Sequence, residues 1–369
     1  MWQAEAVVDL AAIRANVALL RKRTSAEVMA VVKADGYGHG AVPSARAALA
    51  GGATWLGVRS LPEALELRAA GVTAPVLAWL LPPGTPLPEG VAADVDLSVS
   101  SVAQVTELAE AARRAGKVAR AHLKIDTGLH RNGATLDVWP KLVEAAAKAQ
   151  AEGVLEIVAV WSHLACADVL GDPSIDRQLD VFLEASAIAE RLGVTPRLRH
   201  LANSAATLTR PDTHFDLVRP GVAVYGLSPI EGQDFGLRPA MTVRAPVALV
   251  KRVPAGEGVS YGHTYVTPRE TTLCLIPIGY ADGVPRHASS SGPVWVNGKR
   301  FEIAGRVCMD QFVVDCDDAV VAAGDEAVLF GPGDRGEPTA DDWAAVVGTI
   351  NYEIVTRFGR SGVPRRYRG

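Results

Sequence analysis

Cysteine is scarce in this chain of 369 residues, which contains only four. They are scattered, and their spacing fits neither a metal site nor a disulfide framework; they are Cys166, Cys274, Cys308 and Cys316. We therefore expect a protein of a reducing compartment, with the cytoplasm as the default location.

Long apolar runs and an excess of basic residues are also absent. No apolar run approaches membrane-spanning length, and the amino terminus carries Glu5 and Asp9 without the apolar region of a signal peptide. The net charge of −4 argues against a basic face for nucleic acid. The composition, 49% hydrophobic and 21% charged, is that of an ordinary globular protein, and the length predicts two domains.

The first part of the chain alternates strand-like apolar runs with segments of helical spacing. Helices are predicted over residues 62–70, 101–115 and 174–192. The strand-like runs lie near residues 28–32, 55–58, 76–80, 96–99, 119–125, 155–161, 197–201 and 215–219. Such alternation predicts a parallel sheet, and eight strands predict an α/β fold of the (β/α)8 TIM-like barrel type over residues 1–232.

After about Ser228 the pattern changes to alternating β-type runs separated by Gly, Pro and Asp turns. These runs lie at residues 241–253, 271–278, 294–296, 312–315 and 327–329. We predict a smaller, mostly β C-terminal domain over residues 233–369, with the boundary near residues 232–234.

The stretch from Val28 to Gly40 is the most informative part of the sequence. An apolar β-branched run ends in Lys33, and three glycines follow, interleaved with Tyr37 and His39. A lysine desolvated at a strand end has a lowered pKa, which suits Schiff-base chemistry. The glycines permit positive φ or a close approach to a ligand. A strand-end lysine that merely extends to solvent is the alternative.

Polar residues follow nearly every predicted barrel strand. Barrel enzymes collect their functional groups at the carboxyl ends of the strands. Each residue alone has a structural explanation, but one rim would gather them all: Lys33, Trp79, Lys124, Asp126, Arg131, His163, His200, Asn203, Ser204 and Arg219.

The last two barrel loops fit a phosphate site. Barrels often bind phosphate with the loops after strands seven and eight, here residues 203–206 and 219–222. Ser204 can begin a helix whose free N–H groups favour an anion, and Gly221 leaves room for phosphate to meet the backbone. The alternative is a helix N-cap serine and a turn glycine.

Several motifs resemble those of the alanine racemase family. They occur in the family's order over nearly the whole chain: AVVKADGYGHG, LKIDTGLHRNG, HLANSAA, VRPGVAVYGLSP, GEGVSYGHTY, IPIGYADG, GRVCMDQ and INYEI. The resemblance implies a pyridoxal 5′-phosphate (PLP) enzyme that interconverts L- and D-alanine, supplying D-alanine for peptidoglycan. It also implies a barrel with a C-terminal β domain, and a homodimer with shared active sites.

The resemblance assigns roles to residues by position. Lys33 would carry PLP, and Lys33 and Tyr261 would be the two catalytic bases. Arg219 matches the arginine facing the pyridine nitrogen, with His163 and His200 bonded around it. The phosphate set corresponds to Tyr37, Ser204, Gly221, Val222 and Tyr352, and Trp79 and Asn203 also belong to the expected cofactor-binding residues.

On the substrate side, Arg131 matches the arginine that reaches the substrate carboxylate. Lys124 matches a lysine often carbamylated in the family, whose carbamate would orient Arg131. Met309 matches a residue whose backbone contacts the substrate, and Tyr280 matches a tyrosine at the narrow entrance. No metal ligands are implied.

Other functions stay open at this point. A racemase of another small amino acid, such as serine, would carry the same motifs. A non-enzymatic PLP-binding regulatory protein would need the lysine and the phosphate loops, but the complete motif around Tyr261 argues against it. A metal-dependent barrel hydrolase is disfavoured because no compact ligand motif accompanies His163 and His200.

Overall fold

The computed structural model describes residues 3–359 and 362–369. Its strands, in chain order, are β1 (Glu5–Asp9), β2 (Glu27–Val31), β3 (Trp55–Val58), β4 (Val76–Ala78), β5 (Asp96–Val99), β6 (Ala119–Lys124), β7 (Leu155–Trp161), β8 (Leu198–His200), β9 (Leu217–Val218), β10 (Met241–Pro246), β11 (Leu249–Val253), β12 (Gly258–Val259), β13 (Tyr265–Val266), β14 (Thr271–Ile276), β15 (Pro293–Val296), β16 (Lys299–Ile303), β17 (Phe312–Asp315), β18 (Glu326–Phe330) and β19 (Arg365–Arg368).

The α-helices span Leu10–Lys22, Ala41–Ala50, Leu61–Ala69, Leu87–Ala92, Val102–Ala115, Trp139–Ala151, Ser174–Arg191, Ser204–Thr209, Ala340–Val347 and Asn351–Phe358. Short 3₁₀ helices span Pro211–Thr213, Val222–Tyr225, Tyr261–His263, Tyr280–Asp282 and Arg286–Ala288. The predicted helix starts are present: Ser101 accepts a hydrogen bond from the Gln104 N–H at 3.2 Å, which caps Val102–Ala115.

Strands β2 to β9 form the predicted barrel. Their order is β8-β7-β6-β5-β4-β3-β2-β9, and every pairing is parallel. The Asp216 N–H donates to the Arg199 carbonyl at 3.1 Å beside β8 and β9, so the two ends of the sheet meet and the ring is nearly closed. Apolar side chains from strands around the ring, among them Met29, Trp55 and Val158, fill the interior. The (β/α)8 prediction is confirmed, and all eight strands lie at the expected runs.

The second sheet contains nine strands in the order β11-β14-β17-β16-β15-β18-β10-β1-β19, and β12 and β13 pair separately. Its pairings are antiparallel except for β1 with β19. The mostly β second half is thus confirmed. The strand β1 lies in this sheet beside β10, although it precedes the barrel in sequence, and sequence reasoning did not foresee it. The division at residues 232 and 233 remains a prediction.

The structure corrects the sequence reading of the second half at two points. The single run expected over residues 241–253 is two strands, because β10 ends at Pro246, which has no N–H for the ladder. Within the described residues, this half also contains two α-helices that were not predicted, Ala340–Val347 and Asn351–Phe358. The first has a capping box in which Thr339 accepts from the Asp342 N–H at 3.1 Å.

None of the helices in the described residues is both long and apolar enough to cross a membrane.

Candidate active site

Lys33 opens a left-handed turn at the end of β2. Ala34, Asp35 and Gly36 have φ values of 54°, 55° and 61°, and Tyr37 follows at 52°. Non-glycine residues rarely adopt this region, and such strain persists only where surrounding contacts hold it. Here the Asp35 carboxylate accepts from the Ala41 N–H at 2.8 Å, which fastens the turn to the next helix.

The glycines of this turn permit close contacts, as the sequence predicted. A Cβ on Gly38, where φ is +85°, would lie 2.5 Å from the Val355 carbonyl oxygen. A Cβ on Gly40 would lie 2.2 Å from the Tyr367 hydroxyl. The turn after Lys33 is therefore packed directly against the carboxyl-terminal segment of the chain.

The Lys33 amine lies between two aromatic rings. Its Nζ is 5.8 Å from the ring centroid of Tyr37 and 5.9 Å from that of Trp79. Burial lowers the pKa of Lys33, and the nearby Arg131 lowers it further, while Glu63 opposes both. A larger fraction of the amine is thus neutral and nucleophilic than for an ordinary lysine.

Arg219 is buried at the mouth of the barrel and is surrounded by acceptors. Its guanidinium donates to the Ser162 carbonyl at 2.6 Å and to the Leu201 carbonyl at 3.1 Å. It also donates to Nδ1 of His200 at 3.0 Å and to Nδ1 of His163 at 3.3 Å. Burial lowers the pKa of Arg219 to about 9, which leaves it charged at neutral pH.

Both histidines beside Arg219 are neutral. Burial lowers the pKa of His163 and of His200 well below 6.5, and the charge of Arg219 adds to the effect. A neutral imidazole carries one proton, and since Nδ1 accepts from the guanidinium, the proton sits on Nε2.

Lys124 lies on the same rim in a cationic setting. Its Nζ is 4.2 Å from the ring centroid of Trp161, and Arg219 approaches the same ring at 4.9 Å. Burial lowers the pKa of Lys124 to about 7, and the charges of Arg219 and Arg131 contribute. Arg131 is exposed, in contrast to Lys124.

The two loops predicted to hold phosphate meet each other. The Ser204 hydroxyl accepts from the Gly221 N–H at 2.8 Å, and a Cβ on Gly221 would lie 2.3 Å from the Tyr37 hydroxyl. The ring of Tyr37 lies 6.3 Å from that of Tyr352. Burial raises the pKa of Tyr352 to about 12, so its hydroxyl keeps its proton and can donate.

Asn203 and Val222 complete this side of the rim. The Asn203 side chain accepts from the Ala206 N–H at 3.1 Å, so Asn203 caps the helix Ser204–Thr209 and Ser204 is its first residue. Val222 is buried and begins a 3₁₀ helix.

Tyr261, Tyr280 and Met309 form a second group, on the C-terminal half. Their exposed fractions are 70%, 41% and 53%. Cys308 joins their segments, because its carbonyl accepts from the Tyr280 N–H at 3.0 Å and its sulfur lies 3.4 Å from the Ser260 hydroxyl. In the described part of the chain, these contacts run within the C-terminal half rather than to the residues around Lys33.

Two family models match the chain. The model of the alanine racemase N-terminal domain covers residues 8–229, and that of the alanine racemase C-terminal domain covers residues 240–367. The chain belongs to the alanine racemase family. It is 68% identical to the alanine racemase of Salinispora arenicola over 369 residues, covering 100% of this chain and 99% of the relative.

Solved alanine racemases have the same fold. The structure from the D-cycloserine producer Streptomyces lavendulae is 56% identical, with a TM-score of 0.97 over 100% of this chain and 98% of that one. The Bacillus anthracis alanine racemase with bound L-Ala-P is 37% identical, with a TM-score of 0.91 over 100% of this chain and 96% of that one.

Sequence reasoning missed three polar residues that are linked to this alanine racemase-type site directly or through hydrogen bonds. Glu63 lies in the helix predicted over residues 62–70, and its carboxylate accepts from the Ala34 N–H at 3.0 Å beside Lys33. Asp96 and His122 lie inside predicted strands, and both are fully buried. A charged or polar residue inside an apolar strand is costly unless it is paired, and that is the signal that could have identified them.

Proposed function

We propose that this chain is a PLP-dependent alanine racemase that interconverts L- and D-alanine by two bases. Membership of the alanine racemase family supports this over the alternatives weighed from sequence. The observation that carries it is that a desolvated lysine, Lys33, and a buried arginine, Arg219, both lie close enough to Lys124 and His163 to lower their pKa values. The Ser204–Gly221 contact lies on the same rim.

The residues on this rim fit PLP. Lys33 offers the amine for covalent attachment, and the hydroxyls of Tyr37, Ser204 and Tyr352 offer hydrogen bonds to phosphate, together with the backbone at Gly221 and Val222. Gly221 has no Cβ to separate its backbone from the Tyr37 hydroxyl, so both can reach one anion. Trp79 and Asn203 would line the cofactor. When bound, PLP supplies the carbonyl that takes the substrate amine and the ring that withdraws electrons from its Cα.

Arg219 would face the pyridine nitrogen and restrain this electron withdrawal. A guanidinium only donates hydrogen bonds and keeps its charge, so it cannot transfer a proton to that nitrogen. His163, His200 and two carbonyls hold the guanidinium in place. Transamination, which needs stronger delocalisation into the ring, is then disfavoured.

Lys33 and Tyr261 would act as the bases on opposite faces of the substrate Cα. The lowered pKa of Lys33 suits proton removal at neutral pH. Tyrosine needs help, since its ordinary pKa is about 10. His163 carries its proton on Nε2, because Nδ1 accepts from Arg219, and this N–H would donate to the phenolic oxygen of Tyr261 in the assembled site. In the family the lysine serves the D-enantiomer and the tyrosine the L-enantiomer.

Arg131 would bind the substrate carboxylate, and Lys124 would orient it. A carbamate on Lys124 turns this cation into an anion that can pair with the Arg131 guanidinium. A neutral amine is the form that reacts with carbon dioxide, and a pKa near 7 supplies it at physiological pH.

The active protein would be a homodimer with shared sites. Tyr261, Tyr280 and the backbone at Met309 are exposed on the C-terminal half, whereas Lys33 and Arg219 lie in the barrel mouth. A two-fold dimer brings this exposed group of one subunit to the barrel of the other, twice. Tyr280 would then narrow the entrance, and Met309 would touch the substrate.

We place the enzyme in the cytoplasm, where its D-alanine would feed peptidoglycan synthesis. All four cysteines are free thiols, which suits a reducing compartment.

A visible absorption spectrum and a racemisation assay on the purified protein test the proposal. We expect the absorption of PLP bound through Lys33 and conversion of each alanine enantiomer into the other, with both lost in Lys33→Ala. Exposed Lys117→Ala is the control and should keep both. A higher kcat/KM for serine would indicate a serine racemase. Bound PLP without racemisation would indicate a regulatory protein.

A further inference from the structure

A line of hydrogen bonds runs through the barrel interior to Arg219. The Asp96 carboxylate lies 3.1 Å from Nε2 of His122, and Nδ1 of His122 lies 3.0 Å from Nε2 of His200. Nδ1 of His200 then lies 3.0 Å from Nη1 of Arg219. The three inner side chains have no exposed surface, and Arg219 is 4% exposed.

The line follows the barrel axis from the end at which the strands begin, here called the closed end, to the mouth, at which they end. Asp96 is the first residue of β5, His122 lies inside β6, and His200 is the last residue of β8. At the closed end, two nitrogens of Arg120 donate to Oδ1 of Asp96, with Nε at 2.8 Å. No group of three or more histidine, cysteine and acidic side chains in the described residues could hold a metal ion.

Only one placement of protons satisfies every contact in the line. Arg219 can only donate, so Nδ1 of His200 accepts and its proton sits on Nε2. That proton is donated to Nδ1 of His122, which must be bare, so His122 carries its own proton on Nε2. This last proton is donated to Oδ2 of Asp96, the one group that can only accept. A second proton on either histidine would set two donors against each other.

We propose that Asp96 and His122 are positioning residues for Arg219, which fix the proton of His200 on Nε2 and so keep its Nδ1 as an acceptor for the guanidinium. Without this control, a neutral histidine could present N–H to Arg219 instead. The contact would then be lost, and the guanidinium would lose one of its four acceptors. The effect on catalysis rests on the proposed racemase function, whereas the placement of the protons does not.

The variant Asp96→Asn tests whether residue 96 sets the direction in which the hydrogen bonds of this line are donated. Arg120 donates to one side of residue 96, so an asparagine there must turn its carbonyl oxygen to Arg120 and its NH₂ to His122. Nε2 of His122 would then accept, its proton would move to Nδ1, and His200 would in turn carry its proton on Nδ1. The single substitution should therefore reverse both histidines and set an N–H against Arg219.

The experiment is ¹⁵N NMR of protein labelled in its eight histidines, with the two signals identified by their loss in His122→Asn and His200→Asn. Nitrogen chemical shifts separate protonated from bare imidazole nitrogens, and the holoenzyme and the cofactor-free protein can both be measured. In the parent protein we expect neutral rings protonated on Nε2 for both residues. A proton on Nδ1 of His200, or on both of its nitrogens, would overturn the proposal.

Two further variants sharpen the comparison. Asp94→Asn is the control, because Asp94 has an exposed carboxylate and its backbone carbonyl also accepts from Arg120. This variant should leave the protonation of both histidines unchanged. The double variant Asp96→Asn, Arg120→Met frees the amide to rotate its oxygen towards His122, so the parent protonation should return. If Asp96→Asn folds but leaves both tautomers unchanged, Asp96 does not control the line. If Asp96→Asn does not fold, the spectra of the parent protein and of the double variant still test whether both histidines are protonated on Nε2.

Kinetics give a separate readout. Loss of one hydrogen bond to a charged group corresponds to roughly a tenfold or larger fall in rate, so kcat for Asp96→Asn should fall by about that factor. KM for alanine should change little, because Arg219 does not face the substrate carboxylate in the proposed site. An unchanged kcat with reversed tautomers would overturn the positioning role. Absence of racemisation in the parent protein would instead refute the proposed function and leave the proton assignment to the NMR result.

Discussion

Asp35 and Arg365 form an ion pair that ties the turn after Lys33 to β19, the last strand of the second sheet. The same guanidinium nitrogen donates to the Gly38 carbonyl at 3.3 Å. The left-handed turn that presents Lys33 is therefore held at both sides, by the next helix through Ala41 and by a strand more than 300 residues later.

Replacement of this arginine tests the tie. Arg365→Met keeps the aliphatic stem and removes both contacts, and we expect a loss of about 1 kcal/mol or less, because the pair is partly exposed. Arg366→Met, at the exposed neighbour on the same strand, is the matched control. Thermal unfolding and the affinity for PLP measure the two effects. If Arg365→Met and Arg366→Met show the same melting temperature and the same affinity for PLP, the ion pair does not support the turn.

Gly38→Ala tests the close packing of the same turn. The left-handed conformation alone costs about 1–2 kcal/mol for alanine, and the contact with the Val355 carbonyl adds about 1–3 kcal/mol of overpacking. Gly71→Ala is the control, because Gly71 has a similar φ of +80° and nothing within 4 Å of a Cβ. Denaturant unfolding should find Gly38→Ala the more destabilised. If both variants lose the same stability, the steric contact is not significant.

Subunit exchange tests the shared site. Lys33→Ala and Tyr261→Ala are each expected to be inactive, but a mixed dimer holds one site with both bases intact. Each mixed dimer should recover up to about half of the parent activity. Exchange of Lys33→Ala with the double variant Lys33→Ala, Tyr261→Ala creates no intact site and is the control. Confirmed exchange without recovered activity, or a fully active monomer, would refute the shared-site dimer.

The lowered pKa of Lys124 predicts a pH dependence of stability. Its pKa falls from the usual 10.5 to about 7, so between these pH values the unfolded chain binds a proton that the folded chain lacks. The free energy of unfolding therefore rises with pH across this range. Below about pH 7 the folded chain also carries the charge on Lys124, and the full cost of burying that charge lowers its stability. Lys124→Met should therefore be more stable than the parent below about pH 7, with the difference shrinking towards about pH 10.5.

Denaturant unfolding across this range, in buffer free of carbon dioxide, measures the difference. Lys141→Met, at an exposed position of the helix Trp139–Ala151, controls for the loss of a lysine. The same trend in both variants would show that burial of Lys124 is not its cause.

The sequence by itself determined the barrel, since each β-branched run buries both faces of a strand and each helix shows its apolar stripe locally. It also predicted the reactive rim, because parallel strands all end at one mouth and the residues after them can be read in order. Helix starts such as Ser101 are likewise local, as the cap and its N–H lie three residues apart.

Only the tertiary structure decided the features made by residues far apart in sequence. The strand β1 lies between β10 and β19, so this part of the second sheet joins the start, the middle and the end of the chain. The hydrogen-bonded line in the barrel joins residues from four strands or strand ends, namely Asp96, His122, His200 and Arg219. No single segment of the sequence could therefore predict it. Lys33 shows its chemistry in its own motif, but its left-handed turn is held by Arg365 from the other end of the chain, because strain in a short segment persists only where distant contacts balance it.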